Sequence, residues 1–427
     1  MASIIRILCH QYRPRSRPAP CKRIEQLLQV MRKPGETQTK ILGFAFFIHS
    51  YGRHMDAEHR IFITGSQSIR LLRAARRGEI VSARPAESMQ PTPLDCPASK
   101  LELEGLFDWL NISEKNPLAL LAPNMSQRHW FAKTTPRVLS TQLPAQSFLE
   151  LVATDSPNHL RLPRKARVFI EAPPLALLRV AQTEAQAVRA GKNEDLVAKL
   201  HTLAFACECC GNYSKDPLKP QTGRCHYDKP GTSSRFCDPS SMQSYLSDMS
   251  HQNGLKLARF AAKYAIDESG SPMETYINLA FTLPPRYAGL SMTKPLANKQ
   301  LVVSEEVRAQ LKHRSLRPDF QWPDARMLGE YLGDESHSGK PARVEDKNRL
   351  QDYILANYKP FFLMFDDVCS VAALNRTALM FAKQFAQSGK PYEEYRIRRL
   401  LKDEGFLARQ TKLVLALLPP LLRLDEG

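Results

Sequence analysis

No internal repeat, no apolar run of membrane-spanning length and no signal peptide are found in this 427-residue sequence. The longest apolar run near its start, Ile41 to Ile48, falls well short of the roughly 20 residues that a helix needs to cross a bilayer. No small-residue cleavage site stands behind it. The expectation is a cytoplasmic protein with no membrane partner. Acid is the second shortage: 43 Asp and Glu face 60 Lys and Arg, a net charge of +17. Such an excess points to a polyanionic partner, because cations that neutralise phosphates gain affinity by releasing counterions.

The excess is uneven. Residues 1–55 hold ten Lys or Arg against two Asp or Glu, whereas residues 240–370 hold sixteen of each. The basic head reads as a solvated, disordered extension rather than a dedicated nucleic-acid arm. Its composition breaks off near residue 54, which makes Met55 a candidate start. Peptides from upstream of Met55 in protein from the native host would overturn that expectation.

Zinc-type cysteine pairing is missing too. Nine cysteines without a secretory signal speak against a disulfide framework and for reduced thiols or a metal site. Cys207, Cys209 and Cys210 run as C-x-C-C, while zinc sites usually present C-x₂₋₄-C pairs, and Cys225 and Cys237 stand singly. This spacing favours small buried thiols over a Zn²⁺ set of Cys207, Cys210, Cys225 and Cys237.

Four regions are expected: a basic extension at 1–54, a mixed α/β region with a Cys-containing loop at 55–240, a core domain at 241–370 and a helical tail at 371–427. RIFIT reads as a strand and SQSIRLLRAARRG as a helix with Ser as its cap; VFIEA is a strand that the following Pro-Pro breaks. LVAKLHTLAFACECC and GLKLARFAAKYAI have helical spacing, and residues 211–240 form a long loop. Ser271-Pro272 opens the helix PMETYINLAFTL, Pro being suited to a first turn and Ser to a cap. LVVS near 301–304 is a strand candidate, DKNRLQDYILANY a helix and PFFLMFDDV a buried strand.

The stretch RPDFQWPDARMLGEYLGDESHSG, Arg317 to Gly339, carries the chemistry. PDFQW and MLGEYLG read as strands joined by PDAR, a good turn because Pro presets its dihedral and Asp accepts local hydrogen bonds. Alternation along the second strand puts Leu328, Glu330 and Leu332 on one face, and Gly329 and Tyr331 on the other. Asp319, in the partner strand, is expected near Glu330. Two adjacent carboxylates repel unless a cation neutralises them, and oxygen-rich sites suit Mg²⁺ or Mn²⁺. Glu274, from the preceding helix, is the third candidate acid.

These residues resemble a family. Asp319 and Glu330 are similar to the P-D...(D/E)-x-K signature of the restriction-endonuclease-like superfamily. EYLGDESH, followed by Asp346 and Arg349, resembles its very-short-patch-repair-type branch. SGSPMETYINLAFTLPPRYAGLSMTKPLAN, VFIEAPPLALLRVA, LAFACECCGNYS and ITGSQSIRLLRAAR resemble segments of uncharacterised actinobacterial proteins whose layout is similar to that of abortive-infection antitoxins. The resemblance covers roughly residues 58–370. It implies an α/β fold with an α-β-β-β-α-β core after a mixed α/β region. It also implies Mg²⁺-dependent cleavage of DNA, in phage defence or mobile-element biology, with Glu274, Asp319 and Glu330 as metal ligands. Leu332 stands where the signature has Lys, so Lys340 or Lys347 would supply the charge, with His337 and Asp346 assisting. The alternatives are a non-catalytic DNA-binding regulator or antitoxin on a degenerate nuclease fold, with the YRIRR segment touching phosphates, and a protein-interaction module.

Overall fold

The computed structural model describes residues 59–78, 81–86, 91, 101–122, 134–138, 142–153, 160–164, 166–228, 235–333 and 340–419. The chain divides into two units, Met1–Ala57 and Glu58–Gly427, and all the described residues belong to the second. The basic head expected at 1–54 and the candidate start at Met55 lie outside them. The fold is mixed α/β, with twelve α-helices among the described residues.

The first half builds a six-stranded mixed sheet. Its strands are β1 (His59–Ile63), β2 (Val81–Pro85), β3 (Leu118–Ala122), β4 (Thr134–Val138), β5 (Phe148–Ala153) and β6 (Ala166–Glu171), in the order β2-β5-β6-β1-β3-β4. Between them run α1 (Gly65–Arg77) and α2 (Glu104–Leu110). β1 is parallel to β6 and β3 to β4, and the remaining pairs are antiparallel. The expected Ser cap of α1 is replaced by a distant group. Thr64 is its cap residue, and the Glu171 carboxylate at the end of β6 accepts the Gly65 N–H at 2.9 Å and the Thr64 hydroxyl at 2.5 Å.

α3 (Pro173–Arg189) starts on the Pro-Pro that ends β6, since proline's fixed φ suits the first turn and its missing N–H costs nothing there. α4 (Asp195–Cys210) follows, with a short hairpin, β7 (Tyr213–Lys215) and β8 (Cys225–Tyr227), inside the expected loop. Then come α5 (Pro239–Ser247), α6 (Leu255–Tyr264) and α7 (Pro272–Thr282), the last capped as expected by Ser271, whose hydroxyl accepts the Glu274 N–H at 3.1 Å.

The second sheet has the order β12-β11-β10-β9, from β9 (Leu296–Ala297), β10 (Phe320–Trp322), β11 (Met327–Tyr331) and β12 (Lys359–Leu363). α8 (Glu305–Gln310) lies between β9 and β10, and α9 (Lys340–Leu355) carries the crossover from β11 to β12. β9, β10 and β11 run antiparallel in sequence, and β12 is parallel to β11. The LVVS strand is not there: Leu301 makes one backbone bond, to Leu316 C=O at 2.8 Å, Val302 is exposed, and the strand sits at Leu296–Ala297 instead. PFFLMFDDV does give β12, but at the sheet's edge and only partly buried.

Each face of this sheet meets a different partner. Phe320, Trp322 and Phe361 pack against Phe381 and Phe385 of α10 (Val371–Gln387). Leu328, on the opposite face, packs with Leu301, Leu316, Tyr353 and Ala356 under α9. α11 (Pro391–Leu400) and α12 (Glu404–Leu417) complete the chain. One apolar core runs from Ile61 to Leu418, so the regions expected at 55–240 and 241–370 share it with Phe381, Phe406 and Leu413 of the expected tail.

Candidate active site

The register of the β10–β11 pair sets the site. Phe320 faces Gly329 and Gln321 faces Leu328, so Asp319, the residue just before β10, lies at the end of β11 that carries Glu330. The alternation expected for β11 holds: Leu328 lies under α9, and Gly329, on the other face, lies against the Phe320 ring. Glu330 is buried and Asp319 half-buried.

Donors hold each carboxylate. Asp319 accepts the Tyr331 N–H at 2.7 Å. Glu330 accepts the Tyr353 hydroxyl on one oxygen, and Arg349 Nη1 lies 3.7 Å from the other. Glu274, buried at the start of α7, accepts the Gly270 N–H at 2.7 Å and Asn298 Nδ2 at 2.6 Å. Asn298 also donates its backbone N–H to Asp319 C=O at 3.3 Å, so it ties the Glu274 carboxylate to the strand that carries Asp319. A Cβ at Gly270 would meet the two Glu274 oxygens at 2.9 and 3.1 Å, so a side chain there would have to displace the carboxylate.

The three acids feel one another. Desolvation, then the charges of Glu274 and Glu330, hold Asp319 well above the usual carboxylate range. Burial raises Glu330 to about 7, against the opposing pull of the Tyr353 hydrogen bond and Arg349, with Glu274 and Asp346 pushing it up further. Burial raises Glu274 as well. A cation at this point would reverse all three shifts.

The expected residues are only partly assembled. Glu274, Asp319 and Glu330 are brought into one electrostatic group, and Asp346 of α9 is near enough to act on Glu330 and Arg349. Lys347 is exposed. His337 and the side chain of Lys340 lie outside the described residues. Leu332 follows β11 on the Glu330 face, its N–H bonded to Leu363 C=O at 2.8 Å. Two residues that reach Glu330 were given no role in the sequence: Arg349, named there only as part of the resemblance, and Tyr353, not named. With Asp346 they recur at i, i+3 and i+7, one face of a helix, and that spacing was the available signal.

Among the described residues no group of three or more His, Cys, Asp or Glu is arranged to hold a metal ion. The carboxylate pair nonetheless fits Mg²⁺ or Mn²⁺ in kind: all its donors are oxygens, and Mg²⁺ commonly takes one or two carboxylates and fills its other positions with water and substrate phosphate. The thiols do not gather around one point. Cys210 Sγ lies 3.9 Å from Cys237 Sγ, while Cys207 Sγ accepts the Ile266 N–H at 3.3 Å and Cys225 Sγ meets Gly223 C=O at 3.4 Å. Burial pushes Cys207 and Cys225 up to about 12.

Buried acids elsewhere are matched. Arg73 grips Glu208 with two bonds of 2.8 and 2.7 Å, Arg179 Nε donates to Glu171 at 2.7 Å, and Arg76 reaches Asp228 at 2.9 Å. In the YRIRR segment Arg396 is bound to the carbonyls of Leu290 and Ser291, and Arg398 to Glu394. No protein-family model, curated protein or solved structure matches the chain.

Proposed function

We propose that the protein is a divalent-metal-dependent nuclease acting on DNA, built on a restriction-endonuclease-like core. The observation that carries this reading is that Asp319, just before β10, lies beside the β11 residues around Glu330, its carboxylate accepting the Tyr331 N–H, and feels the charges of Glu330 and Glu274. The order α7-β9-β10-β11-α9-β12, apart from the short α8, supports it: it is the α-β-β-β-α-β order of that fold, with three antiparallel strands and a fourth parallel to the third.

Asp319 and Glu330 are the residues that would hold Mg²⁺ or Mn²⁺, and Glu274 holds Asn298 against the Asp319 strand. A bound metal would supply a water of lowered pKa and polarise the phosphodiester. Arg349 takes the place of the missing strand lysine: its guanidinium is 3.7 Å from Glu330, within electrostatic reach of Asp319 and Asp346, and would stabilise charge on the phosphate. The net charge of +17 favours a polyanionic substrate. A setting in phage defence or mobile-element biology rests on the sequence resemblance alone.

The test is cleavage of supercoiled and single-stranded DNA with Mg²⁺ or Mn²⁺, by the wild type and by Asp319→Ala and Glu330→Ala. Metal-dependent cleavage lost in both variants is the expected result; undiminished cleavage in both refutes the site. A second reading, a non-catalytic DNA-binding regulator, is favoured by Leu332 and by the protein's own donors on Glu330. Binding that falls steeply with salt, without cleavage in either metal, would select it.

A further inference from the structure

We propose that Cys210 and Cys237 form an oxidation site, closing to a reversible disulfide when the protein meets a peroxide. Their Sγ atoms are 3.9 Å apart although 27 positions separate them in sequence. Cys210 is the last residue of α4 and fully buried; Cys237 is half-buried and immediately precedes Asp238, the cap of α5. Residues beside Cys237 pin it there. Arg235 is ion-paired with Asp267 and, at 3.4 Å, with Glu268, and the Phe236 ring lies 5.9 Å from the Arg76 guanidinium.

The geometry assigns the order of events. Cys237 is the thiol that solvent reaches, so its sulfur attacks one peroxide oxygen; the O–O bond breaks, Cys237 becomes a sulfenic acid and one water leaves. Cys210 sulfur then attacks the sulfenic sulfur, the S–S bond forms, and the displaced hydroxyl leaves as a second water with the Cys210 proton. Two thiols lose two electrons and one peroxide is reduced to two waters. Cys237 lies in a non-helical segment between Arg235 and the start of α5, which lets the contact contract to the roughly 2 Å of a disulfide. The hydrogen bond with Cys237, then burial, raises the Cys210 thiol, so Cys210 is not the thiol of first attack. Cys207 and Cys225 are engaged by Ile266 and Gly223.

Full-length protein treated with hydrogen peroxide, alkylated and digested with trypsin without reductant tests the site. The expected product joins the peptides 200–215 and 236–256, with fragment ions placing the bond at Cys210 and Cys237 and dithiothreitol reversing it. Cys237→Ser removes that product and leaves alkylation of Cys369 unchanged. The proposal is overturned if Cys237 ends as an unlinked sulfinic acid, if it joins Cys209, Cys225 or Cys369 instead, or if it stays reduced where Cys369 is oxidised.

Discussion

Two groups of buried acids differ in how their charge is met. Around α1 and α4 each acid has its own arginine: Glu208 with Arg73, Glu171 with Arg179 and Asp228 with Arg76. Against the upward push of burial, Arg73 and its bonds hold Glu208 below its ordinary range. Around β10 and β11, Glu274, Asp319 and Glu330 are all pushed upward, and among the described residues Arg349 opposes the shift of Asp319 and Glu330. Matched pairs of the first kind belong to the scaffold, since burial without a partner would cost too much. Acids of the second kind, raised by burial and by one another, cost stability, and the proposed metal would offset that cost.

Mutations should separate the two groups, the largest effect first. Glu208→Ala leaves Arg73 buried without its partner and should cost about 3–5 kcal/mol in a denaturant titration. A loss of under about 1 kcal/mol would show that the pairing is incidental. Arg349→Ala should slow metal-dependent DNA cleavage about 100-fold at saturating metal, the usual scale for removing one group that stabilises transition-state charge. Wild-type turnover in that variant would return the role to a lysine.

Smaller effects follow from protonation. Glu330 binds its proton more tightly folded than unfolded, so its contribution to stability is fully present below the ordinary carboxylate range and is lost as pH rises through about 7. Glu330→Gln should therefore stabilise the metal-free protein at pH 8, on the order of 1 kcal/mol, and the gain should vanish near pH 4. Thermal melts at both pH values check the sign; a gain at low pH alone would contradict it. Lys347→Ala, at an exposed position on α9, should leave cleavage within about twofold of wild type. A loss as large as that of Arg349→Ala would reinstate the sequence expectation for Lys347.

Local rules made much of this legible. Ser271 and Pro272 announced α7 because capping acts over three residues, and the two-residue period of β11 placed Glu330 beside Leu328 before any fold was known. Asp319 and Glu330 were paired by the same reasoning, once the turn fixed the register. β9 was missed because two residues carry no period, while LVVS has the composition of a strand without neighbours to pair with. The exposure of β12 depends on its edge position, which no stretch of its own sequence records. Arg349 and Tyr353 reach Glu330 only through the crossover that brings α9 over the sheet.

Calorimetric titration of Mn²⁺ into the metal-free full-length protein at pH 8 tests the proposal that Asp319 and Glu330 bind a cation. The expected result is a saturable site that disappears in Asp319→Asn and in Glu330→Gln and survives in Glu208→Gln. Binding that persists in both site variants, or no binding in the wild type, would contradict it.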